Sequence, residues 1–143
     1  MKLKLTFAIF LCISLISCKQ SICDGVEVEC VIQEFEIEFV DPDGNNLIEN
    51  KTYLFEDIII TKDGTELNID TLGPNTSVFF SPLGQEGDNT YEIKLNESET
   101  GFLVLNLSSG NSECCGPFFQ INSALYNTVP IEVSSRKITV VKP

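Results

Sequence analysis

Thiols and carboxylates are the side chains of this chain that could do chemistry. Cys12, Cys18, Cys23, Cys30, Cys114 and Cys115 are its cysteines. A thiol can be alkylated, oxidised to a disulfide or deprotonated onto a metal. Glu34, Glu36 and Glu38 alternate along one apolar stretch, so three carboxylates share a strand face, as paired acid–base chemistry would require. Glu27, Glu29 and many other residues are just as acidic, and no basic partner or aromatic pocket singles out a pair. The strip is therefore expected to be a solvated strand face. Asp41, Asp43 and Asn45 put oxygens on alternate positions, as calcium loops do. Gly44 falls fourth in that run, where an EF-hand loop has its glycine sixth. A tight turn held by Asp and Asn side-chain bonds accounts for the same residues. The chain has no histidine. That removes Ser-His and Cys-His nucleophile activation and imidazole metal ligation. No catalytic, cofactor-binding or metal-ligating residue is assigned, and the chain is expected not to be an enzyme.

The N-terminus speaks more sharply. Lys2 and Lys4 give a basic start, Leu5 to Ile16 is almost purely apolar, and Ser17 is a small residue directly before Cys18. The apolar run falls well short of the roughly 20 residues a membrane-spanning helix needs. A short apolar run between a basic start and a small residue is the form of a signal peptide. Leu15-Ile16-Ser17-Cys18 resembles the lipobox of bacterial lipoproteins. That resemblance implies diacylglycerol on the Cys18 thiol, cleavage before Cys18 and acylation of the new amine. The organisation it implies is a signal helix over 1–17, a lipidated tether over 18–30 and a domain over 31–143. Several acyl chains would be needed, because one alone binds a membrane only marginally, at about 0.8 kcal/mol per buried methylene.

Cleavage removes Cys12, and lipidation consumes Cys18. Cys23, Cys30, Cys114 and Cys115 remain, an even count that reads as disulfides in an exported chain. A Cys114–Cys115 bond would close a small strained ring. Rejecting it also rejects Cys23–Cys30, which leaves two connectivities, each joining the N-terminal cysteines to the adjacent pair. The alternative, one zinc held by all four thiolates, does not match zinc-knuckle spacing.

Bulk composition narrows the partners. Cleavage leaves 126 of 143 residues, enough for one domain with a real core. It takes Lys2 and Lys4 and no acid, so the formal charge goes from −12 to −14. Such a chain repels phosphate backbones, so nucleic acid is excluded as a partner and a charged partner would be cationic. There is no tryptophan, and Tyr53, Tyr91 and Tyr126 are the only tyrosines, a composition that argues against ring-stacked sugars.

Strand patterns fill the rest. Phe35, Ile37 and Phe39 alternate with the glutamates from Val31 to Val40, and Tyr91, Ile93 and Leu95 alternate with Glu92 and Lys94. Phe102 to Leu107 is nearly continuous in apolar residues, as a central strand would be. Further strands are expected over 53–61, 66–69, 77–81, 117–124, 128–133 and 137–141, with a bend within 56–60. Pro130 marks an edge or a strand start. Turn clusters fall at 41–46, 62–64, 73–75, 84–89, 97–101 and 108–112. No long stretch after residue 30 has helical periodicity. The expectation is an all-β fold: a single β-sandwich of about seven to nine strands after the N-terminal signal helix. Its expected core is Phe35, Ile37, Phe39, Ile93, Leu95, Leu103, Leu105, Phe119, Ile121, Ile138 and Val140.

The lipobox, the strand-turn from Phe35 to Leu47, the Glu113-Cys114-Cys115 step and the final Ile138 to Lys142 together resemble small bacteroidete-type lipoproteins. The resemblance implies an immunoglobulin-like or prealbumin-like sandwich and transfers no active site. Asp70-Thr71-Leu72 similarly resembles a bacteroidete O-glycosylation tripeptide, which an ordinary loop explains equally. Lys19, rather than an acid, after the lipid cysteine implies outer-membrane sorting. Lys19 to Asp24 matches surface-display signals only in part, which leaves either face of that membrane open. The functional expectation is a non-enzymatic envelope module, anchored to the membrane through Cys18 and meeting an envelope protein. The alternative is an acidic decoy or inhibitor of a cationic protein, such as a lysozyme or an antimicrobial peptide. Changing Cys18→Ser should abolish lipid transfer and leave an uncleaved precursor. Metabolic labelling with a tritiated fatty acid checks this, and a labelled, cleaved variant would refute it.

Overall fold

The computed structural model describes residues 33–71, 76–112 and 114–143. The expected signal helix, the tether, Cys12, Cys18, Cys23 and Cys30 lie outside the described residues, as do 72–75 and 113.

Ten strands form the described chain: β1 (Phe35–Val40), β2 (Ile59–Lys62), β3 (Thr65–Glu66), β4 (Ile69–Asp70), β5 (Val78–Phe80), β6 (Gly87–Asn96), β7 (Glu99–Ser112), β8 (Gly116–Tyr126), β9 (Val129–Ser134) and β10 (Lys137–Val141). They hydrogen-bond in the order β3-β2-β6-β7-β8-β9-β10-β1-β5-β4. The fold is all-β, as expected. It is one continuous curled sheet shaped as a half-barrel, whereas the sequence pointed to two stacked sheets. The difference lies at β9. It pairs with β8 only over Ala124–Tyr126 and then with β10 over Ser134–Glu132, so it carries the ladder around the bend. Pro130 sits at the start of this interior strand.

Alternation sets the inner face. Phe35, Ile37 and Phe39 of β1, Tyr91, Ile93 and Leu95 of β6, Leu103, Leu105 and Leu107 of β7, and Ile138 and Val140 of β10 are all buried. Curling brings the two ends of the sheet face to face: Phe80 of β5 meets Tyr91 of β6 edge-on at 5.5 Å, and Phe39 meets Tyr126 at 6.5 Å. Phe119 and Ile121, expected in the core, are only partly buried against it. They lie on the stretch of β8 that has parted from β9 among the described residues, so less chain covers them.

Three further expectations need correction. The 53–61 stretch holds a 3-10 turn over Phe55–Asp57 and only then the short β2; the expected bend occurs, but it displaces the first part of the strand. The 66–69 strand is instead two short pieces, β3 and β4. Most importantly, Ser108–Ser112 is not a turn. β7 runs on through it, paired with β8 as far as Ser112↔Gly116. Gly110 and Gly101 read as turn residues but serve close approach. A Cβ on Gly110 would lie 2.4 Å from the Phe118 ring, and one on Gly101 would lie 2.0 Å from the Tyr126 hydroxyl. Each glycine makes room for an aromatic residue of the neighbouring strand.

The β8–β9 hairpin turns through Asn127 and Thr128, both at positive φ (48° and 72°). A two-residue turn with both central residues at positive φ favours Asn-Gly, and a β-branched Thr is strained there. Thr128→Gly should therefore raise stability by about 1 kcal/mol. A urea melt checks it, and a lower midpoint would contradict the assignment.

Candidate functional site

The glutamate strip is less free than its sequence reads. β10 lies beside β1 in parallel, with Glu36↔Lys137 and Glu38↔Thr139 in register. The Lys137 ammonium lies 3.3 Å from Glu36 and 3.0 Å from Glu38. The Ser77 hydroxyl donates to Glu36 at 2.8 Å, and the Asn46 amide donates to Glu38 at 3.2 Å. Only about a quarter of each glutamate side chain is exposed. The bond to Glu38 leads in holding the Lys137 pKa above its ordinary value, against the opposing effect of burial, and Glu36 adds to it. The expectation of a solvated face thus fails for Glu36 and Glu38. Lys137 is about a hundred positions away in sequence, and only the parallel pairing of the chain's two ends brings it there.

The Asp41–Asn46 turn forms as a turn. The Asp41 carboxylate accepts the Asp43 and Asn45 amides at 2.9 and 2.8 Å and the Asn45 side-chain amide at 2.8 Å. Those bonds, led by the Asn45 side chain, hold its pKa below the usual carboxylate value. Both of its oxygens are occupied within the turn. Cys114 and Cys115 sit in the β7–β8 turn, and both are disulfide-bonded. Cys23 and Cys30 lie outside the described residues. At the expected glycosylation tripeptide, the Asp70 carboxylate accepts the Thr71 amide at 2.7 Å; Leu72 is outside the described residues.

Two clusters were missed from sequence. The first ties the C-terminus to the β6–β7 turn. Glu99 pairs with the Lys142 ammonium and accepts the Tyr53 hydroxyl at 2.9 Å. Lys142 lies over the Tyr126 ring, 5.2 Å from its centroid. The buried Tyr126 hydroxyl has no well-directed hydrogen bond, and burial holds its pKa up against the opposing charge of Lys142. Tyr53 also borders an open depression of about 410 Å³ with Ile48, Lys51 and Leu54. A second depression, of about 390 Å³, lies between Lys62, Thr65, Leu83 and Asn89. Burial raises the Tyr91 hydroxyl to a pKa of about 12, and it donates to the Leu83 carbonyl at 3.0 Å.

The second cluster covers the outer face of the long β6–β7–β8 ribbon. Inward Leu105 and Leu107 alternate with outward Asn106 and Ser108. The Asn106 amide donates to Asp88 of β6 at 2.6 Å. The Asn122 amide of β8 donates to Asn106 at 3.0 Å, and the Ser108 hydroxyl donates to Asn122 at 3.0 Å. A bulge between Asn106 and Leu107 turns Asn122 to this face. Nearby, Ser109 donates its hydroxyl to Glu86, which holds that carboxyl below its usual range. Four polar side chains from three strands are thus fixed in one hydrogen-bonded row. Residues far apart in sequence meet in it, so the only sequence signal was an unusual density of Asn and Ser in what read as a turn. The row links four side chains across three strands of the exposed sheet and makes this face the candidate site. It offers fixed donors and acceptors rather than a nucleophile beside a base.

No protein-family model matches the chain, and neither a curated protein nor a solved structure matches it.

The Glu99 cluster makes a pH prediction. The Lys142 bond leads in lowering the Glu99 pKa, against burial, with help from Tyr53. A depressed folded pKa contributes stability above the unfolded value of about 4.5, and that stability is lost as pH falls through the folded value. Glu99→Gln should therefore cost about 1 kcal/mol near neutrality, a magnitude limited by partial exposure. The two proteins should converge in acid. Urea midpoints measured from pH 7 to pH 3 test this, and a gap that widened on acidification would contradict it.

Proposed function

We propose that the chain is a lipid-anchored protein of the cell envelope, attached to the outer membrane through Cys18, and that it works by binding rather than by catalysis. Leu15-Ile16-Ser17-Cys18 supports the anchor. The observation that carries the binding reading is the ordered row Asp88-Asn106-Asn122-Ser108 on an exposed sheet face. Fixed donors and acceptors favour recognition, because little side-chain entropy remains to be lost when a ligand docks. The clustered carboxylates at Glu36 and Glu38 have structural partners, which supports a scaffold role for them. Cross-links from Cys23 and Cys30 to Cys114 and Cys115, in either of the two connectivities, would fasten the tether to the tip of the β7–β8 hairpin. The sheet ends that meet across Phe80 and Tyr91 are consistent with a sandwich-like scaffold, on which the outer faces are left for partners.

The second reading, an acidic decoy for a cationic protein, is favoured by the mature charge of −14. Lys137 offsets one charge of the Glu36–Glu38 pair, so that strip is a weaker cation trap than its sequence suggests. One experiment separates the two. The lipidated protein is purified from its own envelope in mild detergent, and its companions are identified at low and at high salt. Envelope components retained at high salt support the binding module. Capture of lysozyme or cationic peptides at low salt only, as screened charges require, supports the decoy.

A further inference from the structure

The polar row has an aromatic neighbour. Phe118 of β8 lies opposite Gly110 of β7, and its ring tip occupies the space where a side chain on Gly110 would stand. Gly110 shares the outward parity of Ser108 and Asn106, so the ring lies on the outer face at the end of the row. Phe118 is only partly buried and keeps part of its ring in solvent. Ring and row together form a strip along one ribbon, apolar at one end and rich in fixed amides at the other.

We infer that this strip binds a neutral polysaccharide, one sugar packing its C–H face on Phe118 while the hydroxyls of sugars further along the chain meet Asn122, Asn106 and Asp88, Asn106 lying four residues from Gly110 on β7, about 13 Å away. The chemistry matches at each point. An amide both donates to and accepts from sugar hydroxyls, a carboxylate accepts from them, and the bonds already made leave each group with unused capacity. Asn106 has one N–H used of two, Asn122 likewise, and Asp88 has a second oxygen. The ring supplies apolar contact and the fixed amides supply direction, which suits the C–H face and the hydroxyl rim of a sugar lying along an open sheet face. The charge of −14 after signal removal disfavours anionic glycans, and a row of two amides and a hydroxyl with one carboxylate suits neutral ones. Phenylalanine supplies the ring, which is why the absence of tryptophan pointed the other way.

The inference deepens the binding-module reading and rests on it. The test is affinity electrophoresis of the mature protein through gels containing laminarin, xylan or mannan. Retardation by at least one is expected, unchanged by salt. Phe118→Ala and Asn106→Asp should each weaken it about tenfold or more. Phe102→Ala, on the same face but off the row, should leave it unchanged. Melting curves of each variant distinguish lost binding from lost folding, and Asn106→Asp keeps the side-chain shape should Phe118→Ala fail to fold. No retardation by any of the three polysaccharides, or full retardation of a folded Asn106→Asp variant, would overturn the inference. Recovery of envelope proteins in the pull-down would still uphold the broader binding reading in that case.

Discussion

The parallel pairing of β1 with β10 is the interaction on which the rest depends. β10 stands between β9 and β1 in the ladder, so it alone joins β1, β5 and β4 to the other six strands. Ile37 and Phe39 meet Ile138 and Val140 in register, and all four are fully buried. Without that seam the curled sheet would fall into two edges, each with unpaired amides and an exposed apolar face. The pairing joins the two ends of the described chain, so the entropy of a very long loop is lost before the contact forms. The β6–β7–β8 meander, whose contacts are local, carries a much smaller loop cost.

The same seam explains what could and could not be read from residues alone. β1, β6 and β10 were legible because each has one buried apolar face and one polar face, and alternation reports that. The core positions on these strands followed directly. Phe119 and Ile121 alternate just as cleanly, but alternation gives a face and says nothing about how much chain lies above it. The ribbon beyond Leu107 was misread for a different reason. There both faces are wet, so Ser, Asn and Gly carry no period-two signal and read as a turn. Gly110 and Gly101 gave the same false signal, since a glycine under a neighbouring ring cannot be told from a glycine in a bend until the neighbour is known. Lys137 beside Glu36, and Asn122 beside Asn106, are products of strand order. No local pattern encodes them.

The division of labour between the two faces follows from burial. Inside, the large side chains are apolar apart from three tyrosines, of which Tyr91 brings its hydroxyl to a backbone carbonyl and Tyr53 to the Glu99 carboxylate. Outside, polar groups satisfy one another across strands: Lys137 with two glutamates near the seam, and the amide row on the ribbon. Each such bond adds little stability at an exposed site, yet it fixes side chains that would otherwise sample many rotamers. A surface of this kind is costly in sequence freedom and gains order, which is what recognition uses.

The direction of the seam strands has a mechanical consequence. β1 and β10 run the same way, so the chain enters at one end of the pair and leaves at the other. A pull between the two termini acts along the strands. The five paired positions from Glu36–Lys137 to Val40–Val141 are then loaded together in shear, rather than peeled one at a time. A protein held at its N-terminus and tugged through whatever grips its far end would meet that resistance first. Only when that seam gives way does the load pass to the strands behind it.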